Sequence, residues 1–232
     1  MKYLFTLLII STFLYSKTYK ATYEAKYSFF GTIIKANGIY ENNKTNYHIK
    51  TILKTTGIAA SLSNNLIQSY ESIGIIKKNI LIPKKFIFFR KNYHKKVVIT
   101  YLFDYKNRVI KKIKYQNSKF IYDKNLTYFT KNDILTIYFN LPQYINKNKN
   151  NYTFYAVEGK KNSGRIDVNI IKDNQNIIII KANLYNKIFL DNKGIVYLTI
   201  DKKYWITQKA IMKNILHLGD VKGELKKEEI IP

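Results

Sequence analysis

The chain contains no cysteine. This excludes disulfide bridges, thiol catalysis and the lipid-modified cysteine that tethers many exported bacterial proteins to a membrane. Acidic residues are scarce, 15 Asp and Glu against 40 Lys and Arg. They sit mainly at turns or in a tail at residues 224–229, so no pair of carboxylates stands out for general acid and base work. Three histidines, His48, His94 and His217, lie far apart and form no His-x-x-x-His spacing, so no metal site is expected. A Gly-x-Ser-x-Gly nucleophile turn is missing as well. Gly159 and Gly164 have the separation of a phosphate-binding loop, but Arg165-Ile166 follows where Lys and a hydroxyl residue are required. A hairpin turn accounts for that glycine better. These absences leave no enzyme and no cofactor implied.

What is present begins with an address. Met1-Lys2 supplies a short positive start, an uncharged apolar run extends from Tyr3 to Tyr15, and Ser16 offers a small residue for cleavage. Together they predict a secretory signal peptide over residues 1–16, with the mature chain in the periplasm. The run is short against the roughly 20 residues a spanning helix needs, and no second membrane segment follows. Residues 17–232 are then expected to form a single soluble β-rich domain, long enough to bury one good core.

The formal net charge is +25, a balance that suits a polyanionic partner such as anionic lipid or lipopolysaccharide. The extracytoplasmic address argues against nucleic acid. Lysine is abundant together with Asn, Ile and Tyr, the amino acids an AT-rich genome favours, and the lysines are dispersed rather than gathered in a block. The charge therefore reads as compositional more than as a designed patch.

The hydropathy pattern is mostly that of strands. Tyr19, Ala21, Tyr23, Ala25, Tyr27 and Phe29 alternate with Lys20, Thr22, Glu24, Lys26 and Ser28, the period of two expected of a half-buried antiparallel strand. Similar alternation recurs at Tyr47 to Leu53, at Val97 to Phe103 and at Ile166 to Ile170. Turn-forming residues separate such runs at 41–44, 104–107, 162–164, 173–176 and 191–194. Many strands at short spacing indicate a meander that curls into a barrel or a sandwich. Two segments break the rhythm. Gly57 to Leu62 is small and alanine-bearing and predicts a short helix against the sheet. Asp133 after Thr130-Lys-Asn resembles a helix-capping signal, and Ile134 to Leu141 then forms a short, very apolar helix that Pro142 is expected to stop. Residues 143–151 read as a polar loop.

Asn43-Lys-Thr, Asn125-Leu-Thr and Asn151-Tyr-Thr satisfy the Asn-x-Ser/Thr acceptor rule. Glu41 and Asp123 stand two places before Asn43 and Asn125. They complete the acidic extended form that resembles the acceptor of bacterial oligosaccharyltransferases, so Asn43 and Asn125 are candidate glycosylation sites.

Read in order, the landmarks Tyr23-Glu-Ala-Lys-Tyr-Ser-Phe-Phe-Gly31, Ala36-Asn-Gly38, Tyr47-His-Ile-Lys-Thr51 and Thr55-Thr-Gly57 resemble the opening strands of an exported bacterial family of unknown function, DUF3108. Asp133-Ile-Leu-Thr-Ile-Tyr-Phe139 resembles its central Asp-x-Leu-Ser-x-x-Tyr element. Lys193 to Asp201 and Gly219 to Leu225 resemble its closing strands. Thr136 replaces the usual Ser, and Asn140-Leu141 stands where an arginine often follows. More distantly the pattern is similar to the lipoprotein carriers LolA and LolB. That resemblance implies a mainly β, antiparallel, curved half-open barrel with one or two short helices, sheltering acyl chains. Its groove would be lined by Ile134, Ile137, Tyr138 and Phe139 of the helix and by Tyr23 and Tyr27 of the first strand. The expected function is periplasmic binding or carriage of a hydrophobic ligand, a lipid or the acyl chains of a lipoprotein. The alternative is a non-catalytic envelope protein whose basic surface meets anionic lipid or glycan.

Overall fold

The computed structural model describes residues 17–27, 30–146, 148–160, 162–184, 194–215 and 219–231. The expected signal peptide, Phe29, His217 and most of the expected turn at 191–194 lie outside the described residues. Among those described, the strands in chain order are β1 (Lys17–Lys26), β2 (Thr32–Asn42), β3 (Asn46–Thr55), β4 (Ile67–Lys77), β5 (Ile80–Lys91), β6 (Lys96–Asp104), β7 (Val109–Gln116), β8 (Lys119–Asn125), β9 (Asn151–Tyr155), β10 (Arg165–Asp173), β11 (Ile177–Leu184), β12 (Gly194–Asp201), β13 (Ile206–Ile215) and β14 (Gly219–Ile231). Helix α1 (Gly57–Leu62) lies between β3 and β4, and α2 (Ile134–Tyr144) between β8 and β9.

All the strands pair antiparallel in one sheet, ordered β8-β7-β6-β5-β4-β3-β2-β1-β14-β13-β12-β11-β10-β9. It consists of two meanders joined where β1 pairs with β14. The 224–229 stretch is therefore no tail. As the inner part of β14 it supplies the second row of backbone partners that β1 requires, with Glu229 opposite Lys20. The outer strands β8 and β9 do not pair with each other, so the sheet is not closed.

The sheet bends around α2. Ile137 and Leu141 pack with Ile166, Val168, Ile178, Ile180 and Ile200 of one meander. Leu135 and Phe139 pack against Tyr47, Ile49 and Leu81 of the other, and Ile134 reaches Phe86 and Tyr101. In a flat sheet β5 and β11 would be eight strand spacings apart, about 38 Å, whereas the helix is only about 10 Å across. Both meanders reach it because the sheet curls. The seam between β8 and β9 is crossed by non-strand chain: Val157 bridges Asp133, and its N–H donates to the Asn132 carbonyl at 2.9 Å.

Helix α1 has the expected bounds and stays on the surface, with no buried residue. Helix α2 starts at the expected cap but runs three residues further than expected, through Pro142 to Tyr144. A proline lacks the N–H that would bond the carbonyl four residues back, which here is that of Tyr138. Trp205 makes good this loss: its indole Nε1 donates to the Tyr138 carbonyl at 2.8 Å.

Candidate functional site

The N-terminal turn of α2 carries a buried polar cluster. Asp133, fully buried, accepts from the Leu135 and Thr136 N–H groups at 2.9 Å each, while its own N–H donates to Thr136 Oγ1 at 2.9 Å. Any hydroxyl at position 136 closes this reciprocal cap, so Thr in place of Ser changes nothing in it. Ser72 Oγ from β4 donates to the other Asp133 oxygen at 2.6 Å and lies 3.0 Å from the Tyr47 hydroxyl. Tyr47 fits because Gly74 lies beneath it; a Cβ there would stand 2.8 Å from the ring. Burial pushes the Asp133 carboxyl up from 3.8 to about 6, against the opposing pull of its hydrogen bonds. Ser72, Asp133 and Thr136 are all inaccessible to solvent, so the cluster is an anchor for the helix and not a reaction centre.

Asn140 is a second anchor, one the sequence did not reveal. It is completely buried, accepts from the Leu81 N–H at 2.8 Å and donates to the Leu81 carbonyl at 3.0 Å. Its amide thus pairs with the start of β5 as another strand would. Only Asn and Gln offer a donor and an acceptor together in this way; an arginine has no acceptor for the Leu81 N–H.

Beside these anchors lies an aromatic pocket of about 170 Å³, lined by Tyr19, Tyr40, Asn79, Leu81, Phe139, Tyr204 and Trp205. Its walls come from β1, β2, the β4–β5 turn, the start of β5, α2 and the β12–β13 turn, so it sits where the two meanders meet across the helix. Its rings form a chain. Tyr19 stacks on Tyr40 at 5.8 Å, Tyr40 on Phe139 at 4.6 Å, and Phe139 meets the edge of Tyr138 at 5.0 Å. Tyr138 closes the chain against Trp205 by exchanging two hydrogen bonds, since the Tyr138 hydroxyl donates to the Trp205 carbonyl at 3.0 Å and the indole donates back. Trp205 has φ +57°, a left-handed conformation uncommon for a bulky residue. That backbone strain is held at the pocket wall by the two hydrogen bonds.

The residues expected to form a groove are not brought together as one surface. Phe139 lines the pocket. Tyr138 lies behind it, with its hydroxyl pKa raised by burial. Tyr23, whose hydroxyl burial pushes up to about 12 with a further rise from Glu228, faces the same region. Ile137 is core, and Ile134 is half-buried between the packing of the two meanders. Tyr27 follows the end of β1, stacks on Phe30 at 5.6 Å and is not among the residues that line the pocket. Of the pocket residues that the expectation omitted, Tyr40 and Leu81 come from strands without a marked alternation, and Trp205 from a turn. The pairing of Tyr138 with Trp205 spans 67 residues, for which a local pattern holds no signal.

Among the sequons, Asn125 is exposed at the end of edge strand β8. Asn43 closes the β2–β3 turn, its Oδ1 accepting from the N–H groups of Thr45 and Asn46 at 3.0 and 2.7 Å. His48 bridges Glu41 at 3.1 Å and Glu71 at 2.8 Å, and His94 is exposed in the β5–β6 turn. Gly164, with φ +69°, ends the loop before β10, and its carbonyl accepts from the Ala156 N–H at 2.8 Å. No family model, no curated protein and no solved structure matches this chain.

Proposed function

We propose that the protein is an exported binding protein that holds the apolar end of a hydrophobic ligand in the aromatic pocket between its two meanders. The observation that carries this reading is the pocket itself: five aromatic side chains and one leucine around an open space, with Asn79 and the three tyrosines, Tyr19, Tyr40 and Tyr204, bringing polar groups. A concave lining that pairs aromatic rings with polar groups able to fix an orientation suits a small-molecule site. Its volume limits the ligand. A cavity of about 150 Å³ accommodates benzene, so about 170 Å³ takes one ring or the tip of an acyl chain. Beside the pocket α2 packs against both meanders, so a long chain would leave the pocket at its mouth. In the carrier reading this suits a ligand handed over by one end.

Trp205 is the chain's single tryptophan and lines the pocket, so its fluorescence reports on this site alone. Titration with octanoate and with benzyl alcohol is expected to shift its emission saturably, and native mass spectrometry of protein from its own periplasm to show a bound acyl-containing mass. A silent tryptophan with both probes, together with a clean apo mass, overturns the reading.

A further inference from the structure

Lysines that look dispersed along the chain converge once the sheet is built. Successive residues of a strand face opposite sides of the sheet. Tyr101 and Ile110 belong to the core, and Tyr101 is opposite Lys112 while Ile99 is opposite Lys114. Ile110, Lys112 and Lys114 therefore share the inner face of β7. On β8, Lys124 stands opposite Lys112 and Tyr122 opposite Lys114, so they share it too. The side chains meet around aromatic rings: Lys114 and Lys124 place Nζ 5.8 and 5.2 Å from the centre of the Tyr122 ring, and Lys112 places Nζ 5.2 Å from that of Tyr101.

This arrangement is unfavourable without an anion. Like charges directly opposite each other in a sheet destabilise it, and here a third lysine adjoins such a pair. On the outer face of the same strands Lys111 has its acid, Asp123, at 2.6 Å. None of the three inner lysines forms an ion pair among the described residues. The nearby acid is Glu158, whose carboxylate already accepts from the Tyr101 hydroxyl at 2.5 Å. Burial holds the Lys112 ammonium below its ordinary range; Glu158 draws it up, and Lys124 and Lys114 push it further down. A single inward lysine suffices to guard an edge strand from pairing with another sheet. Three ammonium groups at neighbouring inner positions exceed that need.

We propose that Lys112, Lys114 and Lys124 form an anion site on the inner face of β7–β8 that takes a phosphate monoester, either on a lipid headgroup or free in solution. Cross-strand neighbours have Cβ atoms about 5 Å apart, so one phosphoryl group can reach all three side chains. A dianion with three terminal oxygens matches three point charges, and lysine is a common phosphate partner in that role. A carboxylate would bring one charge to three. The site shares no residue with the aromatic pocket, so it stands or falls independently of the ligand proposed there.

The test uses inorganic phosphate as one probe and vesicles of phosphatidic acid in phosphatidylcholine, against phosphatidylcholine alone, as the other. Wild-type protein is expected to bind at least one of them. Lys114→Gln with Lys124→Gln should weaken that binding at least tenfold, whereas Lys84→Gln with Lys111→Gln, an equal loss of charge at exposed positions, should weaken it less than threefold. Acetylation of the wild type, which needs no variant, should show the probe protecting Lys112, Lys114 and Lys124 over Lys84 and Lys111. Binding of phosphate alone identifies a phosphoryl group free in solution, and binding of vesicles alone a headgroup. Equal weakening by both double variants, uniform protection, or binding to neither probe overturns the proposal. So does an inner double variant that binds like wild type but self-associates, which makes the lysines edge guards.

Discussion

Replacing Asp133 by asparagine should stabilise the protein at neutral pH, although it removes a helix-capping carboxylate. The buried carboxyl titrates near 6 in the folded chain against an ordinary 3.8. Each pKa unit is about 1.36 kcal/mol, so the ionised group costs the folded state about 3 kcal/mol. The sign follows from proton binding. Between 3.8 and about 6 the folded state holds a proton that the unfolded state has released, so stability falls as pH rises through that window. The favourable contribution is complete below about 3.8 and gone above about 6. The titratable groups that face Asp133, Tyr47 and Tyr105, have pKa values raised by burial and remain neutral throughout. Asparagine keeps the geometry: its Oδ1 accepts from the Leu135 and Thr136 N–H groups, its Nδ2 donates to Ser72, and the Ser72 hydroxyl turns to donate to Tyr47. The raised pKa is already net of the carboxylate's attraction to the N–H groups of the helix N-terminus, which pull it down. The expectation at pH 7 is a gain of up to about 3 kcal/mol.

Urea denaturation followed by Trp205 emission at several pH values between 4 and 7 measures this, since midpoint and slope give the stability at each pH. Exposed carboxylates that the fold depresses, Asp104 and Glu224, titrate alike in both proteins and cancel in the difference. Asp133→Asn should be the more stable protein at pH 7, and its advantage should shrink towards zero at pH 4. A variant less stable than wild type by more than about 1 kcal/mol at pH 7, with a gap that does not change with pH, would refute the reasoning. The carboxylate would then be compensated in the folded state.

Asn140→Leu removes both partners of the Leu81 backbone and leaves a buried N–H and C=O unpaired; a loss of about 2–4 kcal/mol in urea stability is expected. Trp205→Phe strands the Tyr138 carbonyl that Pro142 cannot serve, so it should cost about 1–3 kcal/mol in thermal or circular-dichroism melts. The same change should cost less in a Pro142→Ala background, where the alanine supplies the N–H; equal costs in both backgrounds would show that the indole does not replace the helix bond. Ile137→Asp buries an unpaired charge in the core and should destabilise by several kcal/mol, whereas Phe139→Asp should lose the octanoate response of Trp205 with a smaller loss of stability.

The local elements were legible because their causes are local. Alternation at Tyr47 to Leu53, Val97 to Phe103 and Ile166 to Ile170 marked β3, β6 and β10, since the buried residues of each strand all fall on the one face that alternate positions share. The cap at Asp133 was visible because a capping box spans four residues. The pairing of β1 with β14 was not, because it joins residues from opposite ends of the described chain, such as Thr18 and Ile231, and no turn or spacing encodes it. For the same reason the 224–229 stretch resembled a solvated tail: its alternation is diluted by consecutive charged residues, and only its partner strand reveals why it is extended.

The helix end and the pocket were hidden by one and the same fact. Reading Pro142 as a stop assumes that the freed Tyr138 carbonyl finds no other donor, and within the local sequence it finds none. The donor arrives from the opposite meander, on Trp205, in a backbone conformation that this residue type seldom adopts. Once that bond exists, α2 continues for another turn, Phe139 is held against Tyr40, and the β12–β13 turn is drawn across to complete a wall. A long-range hydrogen bond therefore sets both a local boundary and the shape of the proposed binding site. This is why Trp205→Phe is expected to lose bound ligand along with stability, the ligand being read by native mass spectrometry because the change removes the fluorescent reporter.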